Sequence, residues 1–152
     1  MIAIGWFQRI MNLLNLDFNM CLNINKAIHR KIFGKYIPIK TKEDLTVYKG
    51  VNVDWNKKDI YRVYSAVFSF SYLIGDTYST RLGLDYTNYD IVTSVCEGFH
   101  SYMTMSLVRN SRVCEKCNGL ARCIIPKGSK IFLSNFGEIV SNKIKIIGVE
   151  RI

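Results

Sequence analysis

The sequence predicts one small α+β domain, in which N-terminal helices precede a mixed or antiparallel sheet that ends in a C-terminal β meander. Apolar side chains near the N-terminus repeat at helical spacing, the middle alternates with a period of two, and the last third contains short apolar runs between turn residues. The chain has 152 residues, of which 49% are hydrophobic, so it can bury one core. We divide it into a helical segment with a basic linker, 1–40, and an α+β domain, 41–152.

Two helices are predicted in the N-terminal segment. Residues 2–16 carry Trp6, Phe7, Ile10 and Leu14 at the spacing of an amphipathic helix. A second helix is expected over 20–33, with Gly34 as its stop. Because an amphipathic helix needs a surface to cover, the first helix predicts a homo-oligomer.

Strands are predicted through the rest of the chain. Residues 45–48 form a short β-branched and aromatic run, and 60–72 show the clearest period-two alternation. A further strand is expected at 91–95, and a short helix at 101–109. The C-terminal third then has four apolar runs separated by turn residues, which indicates an antiparallel meander. These runs are Arg122–Ile125, Lys130–Leu133, Glu138–Ser141 and Ile144–Val149.

The charge of the chain favours anionic partners. The formal net charge is +9 and the pI is about 9.4, a balance typical of proteins that meet nucleic acid, nucleotides or an anionic membrane face. Lysine and arginine occur in no run longer than two, so a polybasic tail is not expected. The apolar stretches are too short to predict a membrane span, and the start does not read as a secretory signal. These features predict a cytoplasmic protein.

Cysteines and a histidine form a candidate zinc site. Cys114 and Cys117 have the C-x-x-C spacing that lets two thiolates share a metal, with Gly119 two residues further on. Cys96 and His100 could supply the remaining ligands, or Cys123 could, and zinc is the metal expected for thiolates. In the alternative interpretation, Cys96 and Cys123 are buried strand residues that act as small hydrophobes, and the C-x-x-C residues are loop thiols.

Three segments together resemble the ADP-ribosyltransferases. Tyr48-Lys49-Gly50 ends a strand as that family's aromatic-Arg-Gly motif does, with lysine for arginine. Ser69-Phe70-Ser71 is similar to the family's Ser-Thr-Ser strand, and Glu138 stands where the family keeps its catalytic glutamate. The resemblance implies NAD as cofactor, with Lys49 on a phosphate, Ser69 and Ser71 shaping the pocket, and Glu138 stabilising an oxocarbenium-like transition state.

A second resemblance is to small phage and bacterial proteins, through residues 97–102 and 125–129. It implies no activity. Together with the basic charge it favours a non-catalytic phage-type protein that binds a phosphate-bearing small ligand, a nucleotide or NAD-derived signal, and sequesters it against host defence. The alternatives are a mono-ADP-ribosyltransferase, a single-stranded nucleic-acid binder and a zinc-stapled interaction module. The candidate ligand-binding residues are Tyr48, Lys49, Ser69, Ser71, Arg81, His100, Tyr102, Lys127 and Ser129.

Overall fold

The computed structural model describes residues 22–65, 70–86, 93–111, 115 and 117–152. Within these ranges the chain forms fifteen strands, all paired antiparallel, and one helix of five residues. The prediction of an α+β domain with N-terminal helices is therefore wrong: the fold is mostly antiparallel β-sheet. The first predicted helix, 2–16, lies outside the described residues.

The elements have the following bounds. The strands are β1 (Leu22–Asn23), β2 (Lys31–Ile32), β3 (Lys35–Tyr36), β4 (Ile39–Lys40), β5 (Leu45–Asn52), β6 (Arg62–Ser65), β7 (Ser71–Leu73), β8 (Thr77–Ser79), β9 (Gly83–Tyr86), β10 (Thr93–Glu97), β11 (Phe99–Tyr102), β12 (Gly119–Ile125), β13 (Lys130–Leu133), β14 (Glu138–Ser141) and β15 (Lys143–Arg151). The helix, α1, spans Met105–Arg109.

One large sheet organises the fold. Its strand order is β4-β13-β14-β11-β5-β12-β15-β8, and the hairpin β6–β7 joins it at the C-terminal end of β5. The long strand β5 lies in the middle and pairs with β12 from Leu45↔Ile125 to Val51↔Gly119. A three-stranded sheet, β1-β10-β9, and the small hairpin β2–β3 complete the described fold.

The second predicted helix, 20–33, is wrong over its described part. Leu22 is buried in β1 and pairs with Val95, and Ile24 is buried two residues later, which is a strand-like alternation. Asn25 then accepts a hydrogen bond from the backbone N–H of Ala27 through its side chain, a local turn that competes with a helix. Short β pairing to β10 and the Asn side chain outweigh the helical spacing of the apolar residues.

The alternating segment 60–72 was predicted as one strand, and it forms two. β6 and β7 pair antiparallel, with Val63 opposite Tyr72, and both of these side chains are buried. The segment between them, 66–69, lies outside the described residues. Period-two alternation continues across a hairpin as easily as along one strand, so the pattern alone does not reveal the reversal.

The C-terminal strands were predicted at the right places but with the wrong pairing. β13 and β14 form the expected hairpin. β12, however, pairs with β5 and β15 rather than with β13, so the C-terminal third is not a meander. The helix predicted at 101–109 is also shorter, because its first residues belong to β11.

Two apolar clusters cover opposite faces of the large sheet. The larger cluster contains Val47, Val51, Ala121, Cys123, Ile144 and Ile146 with Tyr72 and Phe99. The smaller one packs Phe132 and Val140 of the other face against Leu22 and Val95 of the small sheet. We call the face that carries the larger cluster the inner face, and the face that carries the smaller cluster the outer face. This cluster covers the outer face at its β13–β14 end.

Candidate ligand-binding groove

Polar and aromatic residues form one row across the outer face. The register places Glu138 opposite Tyr102, Tyr102 opposite Tyr48, Tyr48 opposite Arg122, and Arg122 opposite Gly148. Directly opposed residues in antiparallel strands point to the same face, with Cβ atoms about 5 Å apart. The fold therefore aligns one carboxyl, two phenols and one guanidinium, although these residues are far apart in sequence.

A bulge in β15 completes this row. The partner of Arg122 is Gly148 and the partner of Cys123 is Ile146, so Ile147 is an extra residue in β15. An extra residue reverses the face to which the following side chains point. Glu150 consequently lies beside Leu120 on the outer face, whereas Ile144 and Ile146 point to the core.

The helix α1 forms a wall above this face. Thr104 caps its N-terminus, because its hydroxyl accepts from the backbone N–H of Leu107 at 3.2 Å. Val108 is fully buried and fixes the helix to the protein. Arg109, in the last turn, places its Nη2 4.0 Å from Oε1 of Glu150, so α1 and β15 are also linked by an exposed ion pair.

Between α1 and the strands lies an open groove of about 270 Å³. It is lined by Tyr48, Met105, Leu120, Arg122, Gly148, Val149 and Glu150. A Cβ built on Gly148 would meet no atom within 4 Å, so the space above this glycine is open. The groove combines an apolar floor, an aromatic ring and an exposed guanidinium, the mixture typical of small-ligand sites.

The groove region has an excess of positive charge. Arg122 is exposed, and Lys145 lies on the same face because it pairs with Ile124, two residues beyond Arg122. Glu150 is the one carboxylate among the lining residues, and Arg109 pairs with it. At the other end of the row, burial raises the pKa values of Glu138 and Tyr102. Arg122 is thus the cationic end of the row, and the carboxyl of Glu138 lies three strands away from it.

Lys49 does not belong to this face. It follows Tyr48 in β5 and points into the core, where its Nζ donates to the carbonyl of His100 at 2.6 Å and lies 5.9 Å from the ring centre of Tyr72. Only 9% of Lys49 is exposed, and burial lowers its pKa to about 8. Lys49 and Glu138 therefore lie on opposite faces of the sheet and do not share a pocket.

The surroundings of Lys49 are apolar. Burial raises the pKa of the Cys123 thiol to about 12 and also raises the pKa of the Tyr72 phenol. Ser101 is 1% exposed, and its hydroxyl has no hydrogen-bond partner among the described residues. These three groups are neutral near pH 7, so none of them supplies a negative charge that would pair with the Lys49 ammonium.

Other predicted site residues have structural contacts. The Ser71 hydroxyl accepts from Arg62 at 2.7 Å, and Arg81 is paired with Glu97 at 2.8 Å. Ser129 is fully buried and donates to the carbonyl of Pro126 within its own turn. The backbone N–H of Lys127 donates to Asp44 at 2.7 Å, which ties the β12–β13 turn to the start of β5. None of these four residues lines the groove.

The zinc prediction depends on residues that are only partly described. Cys114 and Ser69 lie outside the described residues, and the side chain of Cys96 is not described either. Cys117 is half-buried, and His100 lies in β11 beside Tyr102. In the part of the chain that the structure describes, no group of three or more His, Cys, Asp or Glu side chains is placed to hold a metal.

The sequence interpretation identified Tyr48 and Tyr102 but missed Arg122, Gly148 and Glu150. One signal was available. Arg122 stands between Ala121 and Cys123, which are both buried, so the alternation of a strand points its side chain away from the core. The bulge that brings Gly148 and Glu150 to the same face has no comparable signature in the sequence.

Comparisons with protein-family models, with curated proteins and with solved structures found no match for this chain. Among the described residues, no helix has the length and apolar character that crossing a membrane requires.

Proposed function

We propose that the protein binds a phosphate-bearing small ligand, with nucleotides as the leading class, in the groove between α1 and the outer face, and that it does so without catalysis. The observation that carries the proposal is the direct pairing of Tyr48 with Arg122 at an open groove. An aromatic ring next to a guanidinium suits a ligand with one flat apolar part and one anionic part.

Different groove residues would contact different parts of the ligand. The Tyr48 ring offers a face on which a base stacks, and Arg122 offers a planar fork that matches two phosphate oxygens. Lys145 adds a second cation on the same face, and the open space above Gly148 leaves room for the ligand. Leu120, which is almost fully buried and lines the groove, provides an apolar surface beneath the base.

The absence of catalysis is proposed from the same residues. The described lining contains no histidine or cysteine, and its carboxylate, Glu150, is exposed and paired with Arg109. A general base needs a carboxylate or imidazole held next to the reacting atom, usually with a shifted pKa. The groove offers recognition chemistry instead.

The test is a thermal-shift and calorimetry panel of nucleoside mono-, di- and triphosphates, cyclic nucleotides and NAD. A ligand present at about 100 times its Kd stabilises the folded state by about 2.7 kcal/mol, which a melting curve detects readily. Arg122→Gln should weaken binding about tenfold or more, because a charge-assisted hydrogen bond contributes about 1.5 to 3 kcal/mol. Arg30→Gln, an exposed arginine remote in sequence from the groove residues, is the matched control and should bind as the wild type does.

Two outcomes contradict the proposal. A melting temperature that stays flat across the whole panel removes phosphate-ligand binding. Binding that is equally weakened by Arg122→Gln and Arg30→Gln indicates a general effect of net charge and removes the groove as the site.

A further inference from the structure

A basic β-hairpin with an exposed apolar tip lies in the N-terminal part of the described chain. β2 and β3 pair as Lys31↔Tyr36 and Ile32↔Lys35, which leaves Phe33 and Gly34 as a two-residue turn. Phe33 is 100% exposed, and Ile32 is 49% exposed. We call residues 31–36 the basic hairpin.

The hairpin turn does not by itself account for a phenylalanine at its tip. Phe33 and Gly34 both have positive φ angles, 51° and 76°, as a type I′ turn requires. Asn, Asp or Gly are the residues that suit such a turn, whereas a bulky side chain at positive φ is strained. Phe33 therefore carries a conformational cost and, being fully exposed, gains no burial against the part of the chain that the structure describes. A partner that buries the ring would offset both.

The segment that carries this tip is basic. Residues 22–42 contain six lysines and arginines and no acidic residue. All six are exposed: Lys26, Arg30, Lys31, Lys35, Lys40 and Lys42. Lys31 and Lys35 stand on the two strands next to the apolar tip. A partner that fits must therefore be anionic at its surface and apolar a few ångströms deeper.

The hairpin is held firmly at its base. Tyr36 is buried in the smaller apolar cluster. His29 is also buried, with Nδ1 3.1 Å from the carbonyl of Ile37, while its Nε2 accepts from the backbone N–H of Leu133 at 3.0 Å. The ring contacts thus connect the start of the hairpin to β13 in the large sheet. A rigid base makes the tip a preformed element that need not be ordered on binding.

We propose that the basic hairpin docks the protein on anionic lipid membranes, with Phe33 and Ile32 entering the interface and the lysines contacting lipid phosphates. Bilayers combine an anionic surface with an apolar layer beneath it, which is the complement of this surface. The exposed isoleucine favours lipid over nucleic acid, because an aliphatic side chain has no flat face for stacking on a base, whereas both Phe and Ile partition into hydrocarbon. Nucleic-acid binding is the competing outcome of the test.

The test is co-sedimentation of the protein with vesicles of phosphatidylcholine alone and with added phosphatidylserine, at low and high salt. We expect binding only to the anionic vesicles, weakened by salt. Phe33→Asn should lower vesicle affinity about tenfold or more, since burying a phenylalanine contributes at least that factor. Because asparagine suits the positive φ, this variant should fold at least as stably as the wild type, which circular dichroism and melting verify. Lys35→Gln should lower affinity about fivefold.

The matched control is Phe136→Asn. Phe136 is 78% exposed in the β13–β14 turn, and no basic residue adjoins it between Leu133 and Glu138. This variant should bind vesicles as the wild type does. Absence of binding to anionic vesicles overturns the proposal, as does equal loss in the two Phe variants. If the protein binds single-stranded or duplex oligonucleotides through Phe33 and does not bind vesicles, the partner of the basic hairpin is nucleic acid and the membrane proposal is wrong.

Discussion

Replacing Lys49 by methionine should stabilise the protein at neutral pH. The ammonium is charged at pH 7 inside an apolar core, and burial lowers its pKa to about 8 from an ordinary 10.5. Since one pKa unit corresponds to about 1.4 kcal/mol, the charged form costs about 3 kcal/mol of folding free energy. The variant also loses the hydrogen bond to the carbonyl of His100, and this loss destabilises the folded state by about 1 kcal/mol. We therefore expect Lys49→Met to raise the free energy of unfolding at pH 7 by about 2 kcal/mol.

The dependence on pH provides the sharper measurement. Between pH 8 and 10.5 the folded chain has released the Lys49 proton while the unfolded chain still holds it, so the stability of the wild type rises relative to that of the variant. The thiol of Cys123 acts in the opposite direction above pH 9, because burial keeps it protonated only in the folded state. Comparing wild type and Lys49→Met in a Cys123→Ala background removes this second titration.

The assay is equilibrium unfolding in guanidinium chloride from pH 7 to 10, under reducing conditions. Lys130→Met, which removes one exposed strand lysine, reports the effect of net charge alone. The advantage of Lys49→Met should be largest at pH 7 and should shrink as the pH rises above 8. A difference that stays constant over this range would refute the assignment of Lys49 as a buried, destabilising charge.

Three further changes test other parts of the fold. Burial lowers the pKa of His29, so its contribution to stability is present above pH 6.5 and is lost as the pH falls. Urea unfolding at pH 7 and pH 5 should therefore show a larger decrease in the free energy of unfolding for the wild type than for His29→Gln. Gly98→Ala should cost about 2 to 4 kcal/mol, measured by the same method, because φ is +140° and the new Cβ would overlap Cγ1 of Val140. Asn118→Ala should cost about 1 to 3 kcal/mol, since the Asn118 side chain forms hydrogen bonds with both the N–H and the carbonyl of Val53, at 2.7 and 2.9 Å. An unchanged unfolding midpoint in the Gly98 or the Asn118 variant would contradict the contacts on which its prediction rests.

Local signals predicted the strands of the C-terminal third well. Runs such as Lys130–Leu133 and Glu138–Ser141 are apolar, β-branched and bounded by Gly, Pro, Ser or Asn, so the backbone has few competing conformations. The N-terminal prediction failed where the signal was ambiguous. Between Leu22 and Phe33, helical spacing and short strand pairing were both compatible with the apolar positions, and pairing with β10 decided the outcome.

The candidate site was less predictable than the fold. Alternation could have shown that Arg122 points away from the core and that Lys49 shares the face of Val47 and Val51. It could not show which strands are neighbours. The alignment of Tyr48 with Arg122 depends on β5 lying between β11 and β12, which involves residues about 50 to 75 positions apart in the chain.

The sequence by itself determined that this chain is basic, that its last third consists of strands, and that the lysines and arginines between residues 22 and 42 have no acidic neighbours in that segment. These properties are local, because they depend on residue type and on spacing over a few positions. Only the tertiary structure decided the all-antiparallel pairing, the contact of Lys49 with the carbonyl of His100 and the bulge that turns Glu150 to the outer face. Those properties depend on strand neighbours and register, and a shift of one residue in register would exchange the two faces of the sheet.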